Sequence, residues 1–217
     1  MFQRTFLARL FLTGFRGVAI LAALSLAACA IGPKQIEQAN VSVSNETKLL
    51  WLQHQQKITS AAIWSAKGRV ALRSEKESWS ATLTWQQNVD DYHVRLAGPF
   101  GQGAVTIEGS PDTVSVHIAG QEAVVASDAE ALLLEHLGWS VPVSSLRYWL
   151  RGLPAPGQIE GLTLNASGVL DQLNQQGWQI DYSAYRPLRG VNLPRKIKIE
   201  NDNLRLKLVL DQWSLPS

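Results

Sequence analysis

The chain has 217 residues, 46% hydrophobic and 18% charged, with a net charge of +2, one Cys and eight Trp. That length suits one domain or two small ones, and the apolar fraction suits a packed core rather than a disordered chain. Low, balanced charge excludes a basic nucleic-acid surface, and a lone Cys excludes an intramolecular disulfide or a cysteine-built zinc cluster.

Arg4, Arg9 and Arg16 precede an apolar run from Gly17 to Ala28, and no acidic residue occurs before Glu37. This is the layout of a secretory signal, a positive region followed by an apolar stretch too short for a comfortable membrane span. The run ends in Leu26-Ala27-Ala28-Cys29. It resembles the bacterial lipobox, a small-residue site cut just before a Cys that carries lipid. Small residues let a peptidase reach the bond, and the thiol can take a thioether-linked diacylglycerol. The resemblance implies a signal peptide over 1–28 and, on Cys29, an S-diacylglycerol and an N-acyl group. Two acyl chains already anchor a protein stably. The other reading of Cys29 is a buried thiol or part of a transmembrane anchor; its position and small flanks favour the lipid. Processing removes three Arg and leaves seventeen basic against eighteen acidic residues, a mature charge of −1. The slight basicity therefore belongs to the signal. Ala30, where related lipoproteins retained in the inner membrane carry Asp, implies the outer membrane, facing the periplasm.

Residues 29–45 are polar and small without a sustained period and read as a lipidated tether, leaving 46–217 as the folded domain. A helix is expected over Glu46 to Ile58, capped by Asn45. From Trp64 the period switches to two, with strands around Val70 and Leu72, Trp79 to Trp85, Tyr92 to Leu96, Val105 to Ile107 and Val114 to Ile118. Turn clusters such as Asn88-Val89-Asp90-Asp91 separate them. Ser127-Asp128-Ala129-Glu130 forms a capping box ahead of a leucine-rich helix that stops at Gly138. Ser144 to Arg151 reads as a Ser-capped helix ending at Gly152. Strands resume at Leu162 to Ala166, Trp178 to Tyr182, Ile197 to Ile199 and Leu204 to Leu210.

Roughly ten strands with one apolar face each, and three short helices, predict an antiparallel sheet whose apolar face must be covered. Either the sheet closes into a barrel or the helices plug its concave side, so the expected fold is mainly β, a helix-covered barrel or half-barrel. The inward set is Trp79, Leu83, Trp85, Val94, Leu96, Val105, Ile107, Trp178, Ile180, Leu206 and Leu208, with Leu133, Leu146, Trp149 and Leu150 from the helices. Each alone reads as ordinary core; as a set they must line something. Gly98-Pro99-Phe100-Gly101 is a tight turn between two strands that puts an aromatic at a hairpin tip. Phe100 either protrudes there or folds back on the sheet edge. Arg147 and Arg151, four apart on one helix, read as solvated residues or as donors holding that helix to the sheet.

The lipobox, the leading helix, Trp85-Gln86-Gln87, Gly98-Pro99-Phe100-Gly101, the run from Pro142 to Pro154 (PVSSLRYWLRGLP) and the terminal Leu206-Lys207-Leu208 with Gln212-Trp213 resemble the LolB family of outer-membrane lipoprotein receptors. The run from Pro142 is the most specific part, and the resemblance covers the mature chain. It implies an incomplete antiparallel β-barrel with an apolar cavity covered by short helices, which accepts acylated lipoproteins from the periplasmic carrier LolA and inserts them into the inner leaflet of the outer membrane. It also implies that Pro99, Phe100 and Gly101 form a membrane-contacting loop, with Phe100 where relatives often have Leu. The partners expected are LolA, acylated cargo and the leaflet, with no nucleic acid and a monomeric chain. Burying one acyl chain is worth about 12 kcal/mol at ~0.8 kcal/mol per methylene, so a cavity capturing less than a bilayer does lets transfer run downhill without ATP. No phosphate-binding Gly-rich loop, His-Glu-x-x-His pair or Gly-x-Ser-x-Gly turn occurs, and no catalytic or metal residue is assigned. The alternative is a non-enzymatic lipoprotein scaffold that binds an envelope-assembly partner; a cavity of several hundred Å³ would favour the receptor and a packed interior the scaffold.

Overall fold

The computed structural model describes residues 44–101 and 103–216. The signal, Cys29, Ala30 and most of the tether lie outside the described residues, as do the side chains of Phe100 and Leu137. Helix α1 (Asn45–Ser60) leads into strands β1 (Ile63–Ser74), β2 (Ser78–Asn88), β3 (Asp91–Ala97), β4 (Val105–Gly109), β5 (Val114–Ile118) and β6 (Val124–Ala126). Helices α2 (Ala129–Leu137) and α3 (Val143–Trp149) follow. The chain then returns as β7 (Gly161–Leu164), β8 (Leu170–Gln175), β9 (Trp178–Leu188), β10 (Val191–Glu200) and β11 (Leu204–Ser214).

All eleven strands form one antiparallel sheet in the order β6-β5-β4-β3-β2-β1-β11-β10-β9-β8-β7. The first and last strands pair at its centre, and the edges β6 and β7 do not meet, so the sheet is open. Alternation along the strands sends Val70, Leu72, Leu83, Trp85, Leu206 and Leu208 to one buried face, the period-two pattern of a sheet wet on the other side. Register shifts concentrate on the β1–β11, β9–β10 and β7–β8 pairs. Bulges of this kind bend and twist strands. Gly68 sits at the first shift, where an added Cβ would stand 2.1 Å from the Val209 carbonyl oxygen; only glycine permits that approach.

Helix caps fall one residue from their expected places. Ser44, not Asn45, accepts from the Thr47 N–H at 3.1 Å. On α2 the cap is Asp128 rather than Ser127, accepting from the Glu130 and Ala131 N–H groups, because carboxylate and hydroxyl compete for the same orphan donors. Ser144 caps nothing; α3 begins after Pro142, and Ser145 donates to Gln176 Oε1 at 2.8 Å. Two strands escaped the periodicity. β6 is three residues long, and in β8 Leu170 and Leu173 are both fully buried although three apart. The pairing register skips Asp171, and that bulge returns both leucines to one face.

Topology fixes two opposite ends. The start of β1, the β2–β3 turn and the β7–β8 loop share one end with α1. Gly168 of that loop faces the helix, where an added Cβ would lie 2.5 Å from Leu50 Cβ. The β3–β4 hairpin, residues 98–104, lies at the other end. Its Pro99–Gly101 segment is a single 3-10 turn closed by the Gly101 N–H donating to the Gly98 carbonyl at 3.0 Å.

Candidate functional site

The concave face holds a cavity of about 50 Å³ lined by apolar side chains alone. Strands contribute Val70, Trp79, Leu83, Trp85, Val94, Leu96, Ile107, Leu206 and Leu208, and the helical segment Trp139, Val141, Val143, Leu146 and Leu150. Ten residues of the expected inward set therefore converge on one space. Five do not. Val105 lies at the rim, in a separate concavity of about 520 Å³. Leu133 is fully buried under α2, Trp149 and Trp178 pack on each other at 6.4 Å between ring centroids, and Ile180 is sealed within β9. Sequence reasoning missed Val70, Trp139, Val141 and Val143. Val70 had the right strand parity, but the other three occupy a segment without a period.

The enclosed space is smaller than expected. A water needs about 10–15 Å³ of such space, so about 50 Å³ has room for only a few waters and is far below the roughly 300 Å³ or more of an ordinary ligand site. On volume alone this is the packed interior that the scaffold alternative expects; what favours the receptor is that every side chain lining it is apolar. What divides the interior from the rim is a pair of indoles, Trp79 and Trp139, 5.8 Å apart and tilted. Both, with Leu96, line the inner cavity and the rim concavity alike, and the latter also touches Gly98, Pro99, Gly103 and His136. The hairpin tip thus stands beside the one indole pair that separates outside from inside. A further concavity of about 810 Å³ at the α1 end, lined by apolar side chains such as Ile63, Trp64 and Val125 together with polar ones such as Gln86 and His93, shares no lining residue with the apolar cavity.

The two covering helices are held differently. α3 is bolted down by polar contacts. Gln175, fully buried on β8, accepts from Trp149 Nε1 at 3.0 Å and from the Ala155 N–H at 2.9 Å, and donates to the Ala155 carbonyl at 2.7 Å. Tyr182 donates to the Trp149 carbonyl at 2.9 Å. Arg151 is only 8% exposed. Its Nη1 donates to the Ala61 carbonyl at 3.1 Å and to the Ile58 carbonyl, which also accepts the Ala61 N–H, at 3.3 Å, at the α1 C-terminus where helices leave acceptors without intrahelical partners. Burial lowers its pKa to about 10, which leaves it charged at neutral pH. Arg147 pairs with Asp90 in the β2–β3 turn at 3.1 Å. Arg147 therefore ties α3 to the sheet and Arg151 ties it to the end of α1, and neither is simply a solvated residue. α2 and the connector to Pro142, by contrast, make no hydrogen bond to the sheet among the described residues. Leu132, Leu133, Trp139 and Val141 hold them by apolar contact.

His93, one of the four histidines, donates from Nδ1 to Glu108 Oε1 at 2.9 Å on the outer face, and His117 is exposed. His54 is buried on α1 with Nε2 unpartnered. Burial, reinforced by Lys57, lowers its pKa to about 4, so it is neutral at physiological pH.

Comparison with known proteins identifies relatives of this chain. Residues 62–213 match the family model described as outer membrane lipoprotein LolB. The chain is 38% identical over 192 residues to the outer-membrane lipoprotein LolB of Stutzerimonas stutzeri, covering 88% of this chain and 91% of that protein. It is 42% identical to its namesake from Nitrosococcus oceani, covering 80% of this chain and 87% of the relative, and 42% identical to that of Pseudomonas aeruginosa, covering 75% and 80%. Among solved structures, a LolA superfamily protein from Nitrosomonas europaea aligns over 79% of this chain and 94% of its own at 7% identity, with a TM-score of 0.49. With a match across most of its folded residues and several relatives near 40% identity, the chain belongs to the outer membrane lipoprotein LolB family.

Proposed function

We infer that this protein is a non-enzymatic receptor that accepts acylated lipoproteins from the carrier LolA and delivers them to the inner leaflet of the outer membrane without ATP. Family membership gives the coarser statement, an outer-membrane lipoprotein with a role in lipoprotein localisation. The finer reading rests on one observation, an interior lined entirely by apolar side chains whose rim adjoins the Pro99-Phe100-Gly101 turn.

The geometry suggests a sequence of events. An acyl chain meets the rim concavity first, displaces the Trp139 indole from Trp79, and spreads into space that α2 vacates while α3 stays clamped. The closed state repacks apolar residues against one another, so entry gains less than burial in a bilayer, and onward transfer runs downhill. Phe100, at the tip beside that rim, is the residue we assign to contact with the leaflet during release. Cys29 carries the anchor.

The test is transfer of an acylated lipoprotein from its carrier to the mature protein, then to liposomes. Transfer supports the receptor; persistent failure with folded protein overturns it. Phe100→Glu is expected to leave the urea unfolding midpoint unchanged while cargo stalls on the receptor. Unaltered delivery by that variant would remove Phe100 from the mechanism.

A further inference from the structure

Large apolar side chains that remain exposed gather at the end of the molecule opposite the hairpin tip. On α1, Leu49 is 56% and Leu52 61% exposed. They lie on the helix face away from the buried Trp51, His54 and Ile58. The close approach of Gly168 to the Leu50 and Trp51 backbone fixes this rotation, so the leucines cannot turn inward without undocking the helix. Ile63 and Val89, 51% and 57% exposed, stand at the same strand end. Exposed apolar residues scattered singly need no explanation, but a cluster on one helix face marks an interaction surface.

What covers it follows from where the tether ends. Ser44, the α1 cap, is fifteen residues from Cys29. Fifteen residues reach at most about 50 Å. If Cys29 carries lipid, the reading on which this inference rests, α1 is held within that distance of the leaflet. The exposed cations of α1, Lys48 and Lys57, outnumber its one exposed carboxylate, Glu46, which leaves a small net attraction to anionic headgroups. We propose that the Leu49–Leu52 face of α1 rests in the headgroup zone of the phospholipid leaflet that holds the chain's own lipid. The domain then stands with its hairpin tip and cavity rim pointing away from that leaflet, toward incoming cargo. An eleven-residue strand such as β11 measures about 36 Å. That is less than the reach of fifteen residues, so the tip can meet the same leaflet once the domain tips over. Docking and delivery are thus alternate poses of one anchored domain.

The experiment uses the mature lipidated protein in phosphatidylethanolamine–phosphatidylglycerol vesicles, with Leu52→Cys carrying an environment-sensitive nitrobenzoxadiazole label. Lipid occupies the Cys29 thiol, so the label is unique. The same label at Arg69→Cys, on the wet face of β1, is the control. The expected result is blue-shifted emission at position 52 and several-fold protection from aqueous iodide relative to position 69, with Leu49→Gln abolishing most of that protection. Protein that floats with vesicles yet is quenched equally at both positions overturns the proposal and leaves the anchor intact. Protein that does not float overturns the anchor reading and this proposal with it. Protection that arises only on adding carrier assigns the face to a protein partner instead and overturns the membrane contact.

Discussion

Gln175→Leu should be among the most damaging single substitutions in the domain. The side chain has no exposed surface, and it satisfies three other buried groups: the Trp149 indole N–H, the Ala155 N–H and the Ala155 carbonyl. Leucine fills similar space but leaves all three without partners. Each unsatisfied buried group costs about 1–3 kcal/mol, which gives about 3–5 kcal/mol after local relaxation, against a total stability of about 5–15 kcal/mol for a typical domain. In urea, with a slope of about 2 kcal/mol per molar, the midpoint should fall by roughly 2 M. Gln176→Leu is the control. It removes an exposed residue whose side chain accepts one hydrogen bond, from Ser145, and should cost less than about 1 kcal/mol. A midpoint shift for Gln175→Leu no larger than that of Gln176→Leu, at unchanged slope, would refute the claim that this residue bolts α3 to the sheet.

Three further outcomes follow from the same geometry. Trp139→Ala removes one side of the Trp79–Trp139 partition and should speed binding of a fluorescent fatty acid in stopped flow; an unchanged on-rate would place entry elsewhere. Gly68→Ala forces a Cβ against the Val209 carbonyl, 2.1 Å away in the unrelaxed backbone, and should cost at least about 2 kcal/mol in thermal or urea unfolding. His54 titrates at about 4 when folded against 6.5 when unfolded, so the unfolded chain takes up a proton first and stability falls as pH drops from about 6.5 to 4. His54→Leu should flatten that part of the acid limb, its advantage over the parent growing as pH falls; a constant difference between the two chains across that window would show the ring protonates freely in the fold.

Much of the fold was legible because strand parity is a local property. Alternation at Trp79, Leu83 and Trp85 or at Leu206 and Leu208 names the buried face whatever lies across from it. Where the register slips, parity fails: Leu170 and Leu173 read as unpatterned until the Asp171 bulge is known. The connector holding Trp139, Val141 and Val143 has no period, and its role as cavity wall depends on where α2 and α3 settle on the sheet.

The sequence by itself determined the class of the molecule. A period of two with one apolar face demands a covered sheet, and the run from Pro142 to Pro154 carries the family resemblance. It could not determine how full the interior is. The convergence of ten expected residues on a space of only about 50 Å³ is set by packing between segments far apart in the chain. Nor could it distinguish a clamped helix from a loosely held one. Arg147 and Arg151 look alike in a string, yet one meets Asp90 and the other the α1 carbonyls. Which helix can move is decided by buried polar partners, and those are brought together only by tertiary structure.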